Sequence, residues 1–287
     1  MTKCSIIAVV GLPNSGKSTL ANLLVGVKIS IISPKPQTTR TQIRGIITEG
    51  NIQLIFIDTS GILTGKLGPG QEKLQREMSR AAWGGMQSAD LILLMIDAEK
   101  RSAESIELCK KIAREKIPAI LVVNKIDKIS PKILLPLVTE LNAVHNFAAT
   151  FMISATTGSG VDDLKKYLLE NAKLSPWIYA EDEITDAPSR VIATEITREK
   201  IFLKFHQEVP YFSHVETEKW EEDEKRLTIH QTIVVGRESQ KKIIVGRAGA
   251  GIKEIGMVAR KEMEQFFDKK VNLFLFVKVG VGGVGQE

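Results

Sequence analysis

The stretch Gly11-Leu12-Pro13-Asn14-Ser15-Gly16-Lys17-Ser18 constrains this chain more than any other, because it joins an apolar run, Cys4 to Val10, to an amphipathic segment opening at Lys17. A strand that passes through a glycine-bearing turn directly into a helix brings several backbone N–H groups to one point. Glycines at 11 and 16 allow the tight turn and the close approach of backbone to a ligand. The helix that follows adds the positive end of its dipole. The loop therefore reads as a nest for phosphate, with Gly11, Asn14, Ser15, Gly16, Lys17, Ser18 and Thr19 as its residues. Lys17 is expected to reach the outer phosphates as a point charge, and the Ser18 hydroxyl to ligate Mg²⁺.

A second stretch, Asn124-Lys125-Ile126-Asp127, follows the apolar run Ile120 to Val123, as expected of a buried parallel strand ending at the ligand edge of a sheet. A carboxylate there can accept from both N1–H and the 2-amino group of guanine, whereas adenine has neither donor on that edge. Asp127 therefore selects GTP over ATP, with Asn124 and Lys125 beside it. Ser154 and Ala155 end a further strand, Thr150 to Ile153, and their backbone is expected at guanine O6.

The γ phosphate calls for two more segments. Asp58-Thr59-Ser60-Gly61 follows the strand Leu54 to Ile57, so that Asp58 holds Mg²⁺ through water and Gly61 offers its N–H to the γ phosphate. Pro36-Gln37-Thr38-Thr39-Arg40 can lend a threonine hydroxyl to Mg²⁺ only while GTP is bound, and Thr39 is favoured over Thr38.

Residues 4 to about 173 thus resemble the Ras-like GTPase superfamily, in its translation-factor branch. Ile62 departs from that pattern, standing where relatives carry the glutamine that orients the attacking water. An isoleucine cannot hydrogen-bond water, so no side-chain catalytic base is expected. Water would be held by backbone groups, by a partner, or by a monovalent cation such as K⁺ near Asn14, as the resemblance suggests for relatives with asparagine there. Thr156 also departs from the common residue, at a contact expected to be a backbone one.

Strand-helix alternation stops near Ala172-Lys173-Leu174-Ser175-Pro176-Trp177. Beyond it the periodicity predicts a helix over 190–205, strands over 215–220 and 227–235 joined by a charged turn, a short helix over 240–245, a helix over 252–267 and a strand over 271–279. Gly246-Arg247-Ala248-Gly249 falls between the last two helices. That order resembles a type II KH domain, whose glycines let the backbone of an unpaired nucleic acid approach while Arg247 and Lys253 favour its phosphates. The fold class is therefore α/β: a P-loop GTPase domain with a mostly parallel doubly wound sheet over 1–173, a linker over 174–188, a smaller α+β KH domain over 189–280 and a flexible tail over 281–287.

Charge supports the second half of that reading. Residues 181–224 hold five Lys or Arg against thirteen Asp or Glu, while 236–280 hold ten against five, so the overall +5 is gathered late. A gathered basic face can attract a polyanion. The two cysteines, Cys4 and Cys109, suggest neither a disulfide framework nor a metal site. No secretory segment and no apolar run of membrane-spanning length occur, so the chain is expected to be neither secreted nor membrane-spanning but cytoplasmic; a monomer is expected as well.

A GTPase of this branch followed by a KH domain resembles the Era family, on Gly11 to Ser18, Gln37 to Arg40, Asp58 to Gly61, Asn124 to Asp127, Arg198-Glu199-Lys200 and Gly246 to Lys261. The resemblance implies binding of GTP and GDP, binding of the 3′ end of small-subunit ribosomal RNA, help in assembling the small ribosomal subunit, and some association with the inner membrane surface. Two rival classes are an RNA-binding scaffold without turnover and a membrane-surface switch whose basic patch binds anionic lipid.

Overall fold

The computed structural model describes residues 1–33, 43–59, 61, 84, 86–100, 102–205 and 209–280. Thr38, Thr39 and Ile62 lie outside them. The described residues group into two compact units, one within 1–30 and 43–186, the other within 31–33 and 187–280.

The first unit is a six-stranded sheet. Its strands are β1 (Lys3–Gly11), β2 (Ile43–Glu49), β3 (Ile52–Asp58), β4 (Leu91–Asp97), β5 (Ala119–Asn124) and β6 (Ala149–Ile153), in the order β2-β3-β1-β4-β5-β6. Every neighbouring pair is parallel except β2 with β3. The central strands are buried on both faces, which is why they read as continuous Val/Ile/Leu runs rather than as alternating ones. Their side chains still divide by parity. Ala8, Val10, Leu94, Leu121 and Val123 pack with α2 (Ala103–Ile112) and α3 (Pro131–Val144). Ile7, Val9, Leu93, Met95 and Val122 pack with α1 (Lys17–Val25) and α4 (Val161–Glu170).

Parallel strands put all their C-terminal ends on one edge, and there the chain turns at Gly11, Asp58, Asp97, Asn124 and Ile153. Residues beyond α4 stay with this unit. Gln53, fully buried, accepts from the N–H groups of Ile178 and Tyr179 at 3.0 and 3.1 Å and donates to the Tyr179 carbonyl at 3.0 Å. Ile46 donates to the Ile184 carbonyl, and Arg44 N–H to the Asp186 carboxylate, which fastens the chain along β2.

In the second unit α5 (Ser189–Lys204), α6 (Glu238–Val245) and α7 (Ala250–Phe267) accompany a three-stranded sheet of β7 (Ser213–Glu222), β8 (Arg226–Val235) and β9 (Lys270–Val279). β7 and β8 form the antiparallel hairpin expected from sequence, and β9 returns parallel to β8. Ile192, Ala193 and Ile196 of α5 meet Ala259 and Met263 of α7 over Leu227, Ile229 and Val271. No helix among the described residues is long and apolar enough to cross a membrane.

Candidate functional site

The loop after β1 is shaped by close approaches. A Cβ on Gly11 would stand 2.5 Å from the Met95 carbonyl oxygen, and one on Gly16, at φ +101°, would strike the Asn124 amide. Neither position admits another residue. α1 starts at Gly16 without a side-chain cap, so its first N–H groups have no helical partner and face the loop. Lys17, buried, folds its amine back onto the carbonyls of Gly11 and Leu12 at 3.2 and 3.0 Å. Burial lowers its pKa to about 8, against the opposing charge of Asp58. The Ser15 hydroxyl is buried and has no hydrogen-bond partner among the described residues.

Asp58, at the end of β3, is fully buried, and its Oδ2 accepts from the Ser18 hydroxyl at 2.7 Å. Burial pushes this carboxyl above the usual range, while the Ser18 hydrogen bond and the Lys17 charge act the other way. Its Oδ1 has no partner among the described residues. A buried carboxylate with a free oxygen beside a hydroxyl, next to a phosphate nest, fits Mg²⁺, which is held by one or two protein oxygens and completed by phosphate and water. Among the described residues no cluster of three His, Cys, Asp or Glu side chains offers a different metal site. Gly61 presses on this loop, since a Cβ there would lie 2.7 Å from the Pro13 nitrogen. Asn14 holds a left-handed φ of 63°.

At the other end of the edge, Asn124 acts as a tie. Its Nδ2 donates to the Ser15 carbonyl at 2.8 Å and its Oδ1 accepts from the Ala155 N–H at 2.9 Å. Sequence reasoning assigned the Ala155 backbone to guanine O6; in the structure that N–H is donated to Asn124. Lys125, at φ 68°, donates to Asp97 Oδ2 at 2.6 Å. Asp127 sits in the single 3₁₀ turn Ile126–Lys128, 3.8 Å from the Lys128 amine. Ser154 is buried and its hydroxyl accepts from the Thr157 N–H at 3.2 Å. Thr19 is partly buried one residue further along α1. Asp97, which pairs with Lys125, is a neighbour of the site that the sequence reading passes over. Its signal was the run Leu91 to Ile96 ending in an acid, the same pattern that marked Asp58.

The second unit carries its own candidate surface. Gly246 has φ 73°, ψ 176°, Ala248 is left-handed at φ 50°, and Gly249 at φ 76° begins α7 with no side-chain cap. Nothing lies within 4 Å of a Cβ built on Gly249, so space is open there. Arg247 and Lys253 are exposed. Next to the loop, Ile252, Gly256, Met257, Leu273 and Leu275, with Lys253 and Arg260, line a groove of about 270 Å³. An uncapped helix start, exposed cations and an apolar groove suit a phosphate backbone with bases laid beside it.

Together these features define a P-loop GTPase that carries a KH domain. A family model for 50S ribosome-binding GTPases matches residues 6–125 and one for the KH domain matches 208–282. The chain is 48% identical over 282 residues to GTPase Era of Brucella suis biovar 1 (strain 1330), covering 97% of this chain and 88% of that one. It is 50% identical over 283 residues, with the same two coverages, to GTPase Era of Rhizobium meliloti (strain 1021). It belongs to the Era family of GTPases. A crystal structure of Era in complex with MgGDPNP and nucleotides 1506–1542 of 16S ribosomal RNA superposes with a TM-score of 0.90 at 40% identity, covering 98% of this chain and 94% of that one. A point variant of Aquifex aeolicus Era bound to GDP and AlF₄⁻ also gives 0.90, at 39% identity, over 97% and 94%.

Proposed function

We propose that this GTPase is a nucleotide-timed clamp on unpaired ribosomal RNA, gripping the 3′ end of the small-subunit RNA and assisting assembly of that subunit. The observation that carries the RNA half is the open space at Gly249, flanked by Arg247 and Lys253, at the uncapped start of α7. The Era structure that superposes on this chain holds a segment of 16S ribosomal RNA, which supports the same reading.

In the nucleotide pocket, backbone N–H groups of the loop over 14–19 and the Ser15 hydroxyl receive the phosphates, and Lys17 turns from its two carbonyls to the outer oxygens. Ser18 and Asp58, joined by Thr39 when GTP is present, would hold Mg²⁺, which would neutralise phosphate charge. The related structure holds MgGDPNP, which supports Mg²⁺ as the ion. Asp127 reads the guanine edge, while Asn124 and Lys125 keep the base-binding turn in place. With Ile62 in place of a glutamine, water is positioned by backbone, by a partner or by K⁺ near Asn14. Unassisted turnover should then lie on the order of 10⁻⁴ to 10⁻² s⁻¹. The protein acts as a cytoplasmic monomer that meets the inner membrane surface peripherally.

Gly249→Asp tests the RNA half. It adds a carboxylate where phosphate would approach, with room for the side chain, so binding of an oligonucleotide copying the small-subunit 3′ end should be lost while GTP hydrolysis persists. Undiminished RNA binding refutes the site. Asp127→Asn tests the base assignment, since xanthine replaces the 2-amino group with a carbonyl and should now be preferred. Unchanged GTP affinity in that variant removes Asp127 from the base-reading role.

A further inference from the structure

Asp97 closes β4 and is 6% exposed, in register with Asn124 at the end of β5. Each of its carboxylate oxygens has its own donor: Oδ1 accepts from the Glu99 N–H at 3.0 Å and Oδ2 from the Lys125 amine at 2.6 Å. The Ala98 N–H is donated to the Asn124 carbonyl at 2.9 Å, so the two strand ends are also joined through the backbone. A carboxylate this enclosed loses its hydration on folding, and a close cation with a backbone donor offsets that loss. The phosphate nest has its own lysine in Lys17, and Asp58 keeps the oxygen suited to Mg²⁺. The Asp97–Lys125 pair therefore belongs to the other end of the site.

Lys125 is the informative partner. Its backbone is left-handed, at φ 68° and ψ 35°, a conformation that strains any residue with a Cβ. Directly after it comes the 3₁₀ turn Ile126–Lys128 that carries Asp127, closed by the Lys128 N–H on the Lys125 carbonyl at 3.0 Å. Lys125 is thus fixed at both ends: its carbonyl starts the turn and its amine is anchored on β4. An amine already paired with a carboxylate brings the turn position rather than charge. A strained turn whose side chain is tethered has fewer orientations to explore than the same turn held by its backbone alone.

We propose that Asp97 is a positioning residue for guanine recognition: by anchoring Lys125 it fixes the turn that presents the Asp127 carboxylate to the base. This rests on Asp127 as the reader of the guanine edge. Accepting from N1–H and the 2-amino group at once requires the plane of the carboxylate to be set, whereas a single hydrogen bond tolerates rotation. Loss of the anchor therefore costs the second bond first. Its mark is a weaker preference for guanine over hypoxanthine, which keeps N1–H and O6 but lacks the 2-amino group.

The test titrates the full chain, in Mg²⁺, with GDP and with inosine diphosphate, and records the thermal midpoint of the nucleotide-free protein. The parent should prefer GDP by about tenfold or more, the worth of a hydrogen bond to a charged group. Asp97→Asn keeps the shape and the acceptor for the Glu99 N–H but gives up the charge that holds Lys125. It should weaken GDP by about tenfold and cut the preference to about threefold or less, and Asp97→Glu, which restores the charge, should recover part of it. Lys125→Met removes the other half of the pair. If Asp97 acts through Lys125, the double variant should match Lys125→Met in preference within about twofold. A purely structural role for Asp97 would lower the midpoint and weaken both nucleotides by equal factors; an intact preference, or a further drop in the double variant, overturns the proposal. Should Asp97→Asn fold poorly, Lys125→Met decides alone, since it must narrow the preference in the same way and refutes the anchor if it does not. Asp127→Asn, run alongside, separates this proposal from the reading beneath it. If that variant keeps the parent's preference, the base assignment is wrong and the proposal falls with it; if it loses the preference while Asp97→Asn keeps it, only the positioning role is refuted.

Discussion

Asn124 has both ends of its amide engaged within the protein, which makes it more than a member of a base-reading motif. Through Ser15 and Ala155 it joins the phosphate loop to the turn after β6. Removing it leaves a buried carbonyl and a buried N–H without partners at about 1 to 3 kcal/mol each. Asn124→Ala should therefore weaken GTP and GDP alike, by tenfold or more on that scale, and lower unfolding stability by about 2 kcal/mol. Fluorescent-nucleotide titration and urea denaturation read the two effects; a variant with parental affinity would mean that the tie is dispensable. The residue types of this site were legible because each chemistry admits few side chains: a lysine in a glycine loop, an acid after a buried strand, Asn-Lys-x-Asp after another. Its internal wiring was not. The Asn124–Ser15 bond spans 109 residues, and no local spacing encodes which of the motif's groups face the ligand and which face each other.

The elements were legible wherever period and punctuation agreed. The strands and helices of the second unit fall within a few residues of their expected bounds, because Gly246, Gly249 and the charged turn after β7 mark the ends. α5 is the exception. Its periodicity picks out Val191, Ile192, Ile196, Ile201, Phe202 and Phe205, of which Val191 and Phe205 are only partly buried, whereas burial covers every residue from Glu195 to Phe202: Arg198 pairs with Glu195 on the same helix, and Glu199 and Lys200 find Ile32 and Glu262, far away in sequence. The two loop glycines also separate at this scale. Gly246 has φ/ψ that only glycine adopts, and a Cβ there would stand 2.8 Å from the Gly251 nitrogen, whereas Gly249 needs only left-handed φ and has open space. Gly246→Ala should cost about 3 kcal/mol or more and disorder the loop, while Gly249→Ala should cost about 1 to 2 kcal/mol and leave the domain folded. Equal thermal shifts for the two would refute the distinction. In the first unit, burial raises the Cys109 thiol to about 12 from 9.0. Between those values the unfolded chain has released a proton that the folded chain keeps, so stability from this group falls as pH rises above 9.0. Cys109, with Cys4 only 3% exposed, should resist a thiol reagent at pH 8 until the protein unfolds. Prompt native labelling would contradict the burial of both.

For the molecule as a whole, the net charge of +5 says less than its local bookkeeping. The acids of β7 are largely answered within their own sheet or at its edge: Lys278 of β9 serves Glu216 and Glu218, Lys269 just before β9 serves Glu222, and Lys219 serves Glu221. Arg247, Lys253 and Arg260, beside the loop and its groove, form no ion pair among the described residues. The late excess of positive charge seen in sequence is therefore available where the structure is open, and bound phosphate would displace counterions there. If those three cations each meet one phosphate, log affinity for a single strand should fall with log salt at a slope of about −2, at about −0.7 per contact. Raising salt from about 50 to 200 mM should then weaken binding by about 20-fold. Lys253→Ala should reduce the slope by about one contact's worth and weaken every RNA sequence alike, because a phosphate contact carries no base information. GTP binding, set by a buried pocket with its own lysine, should lose far less over the same range. Titration of one labelled oligonucleotide at four salt concentrations, with nucleotide affinity measured in parallel, decides the matter: a flat RNA response, or a Lys253→Ala slope equal to the parent's, means that these cations do not contact the bound strand and that the charge segregation serves something else.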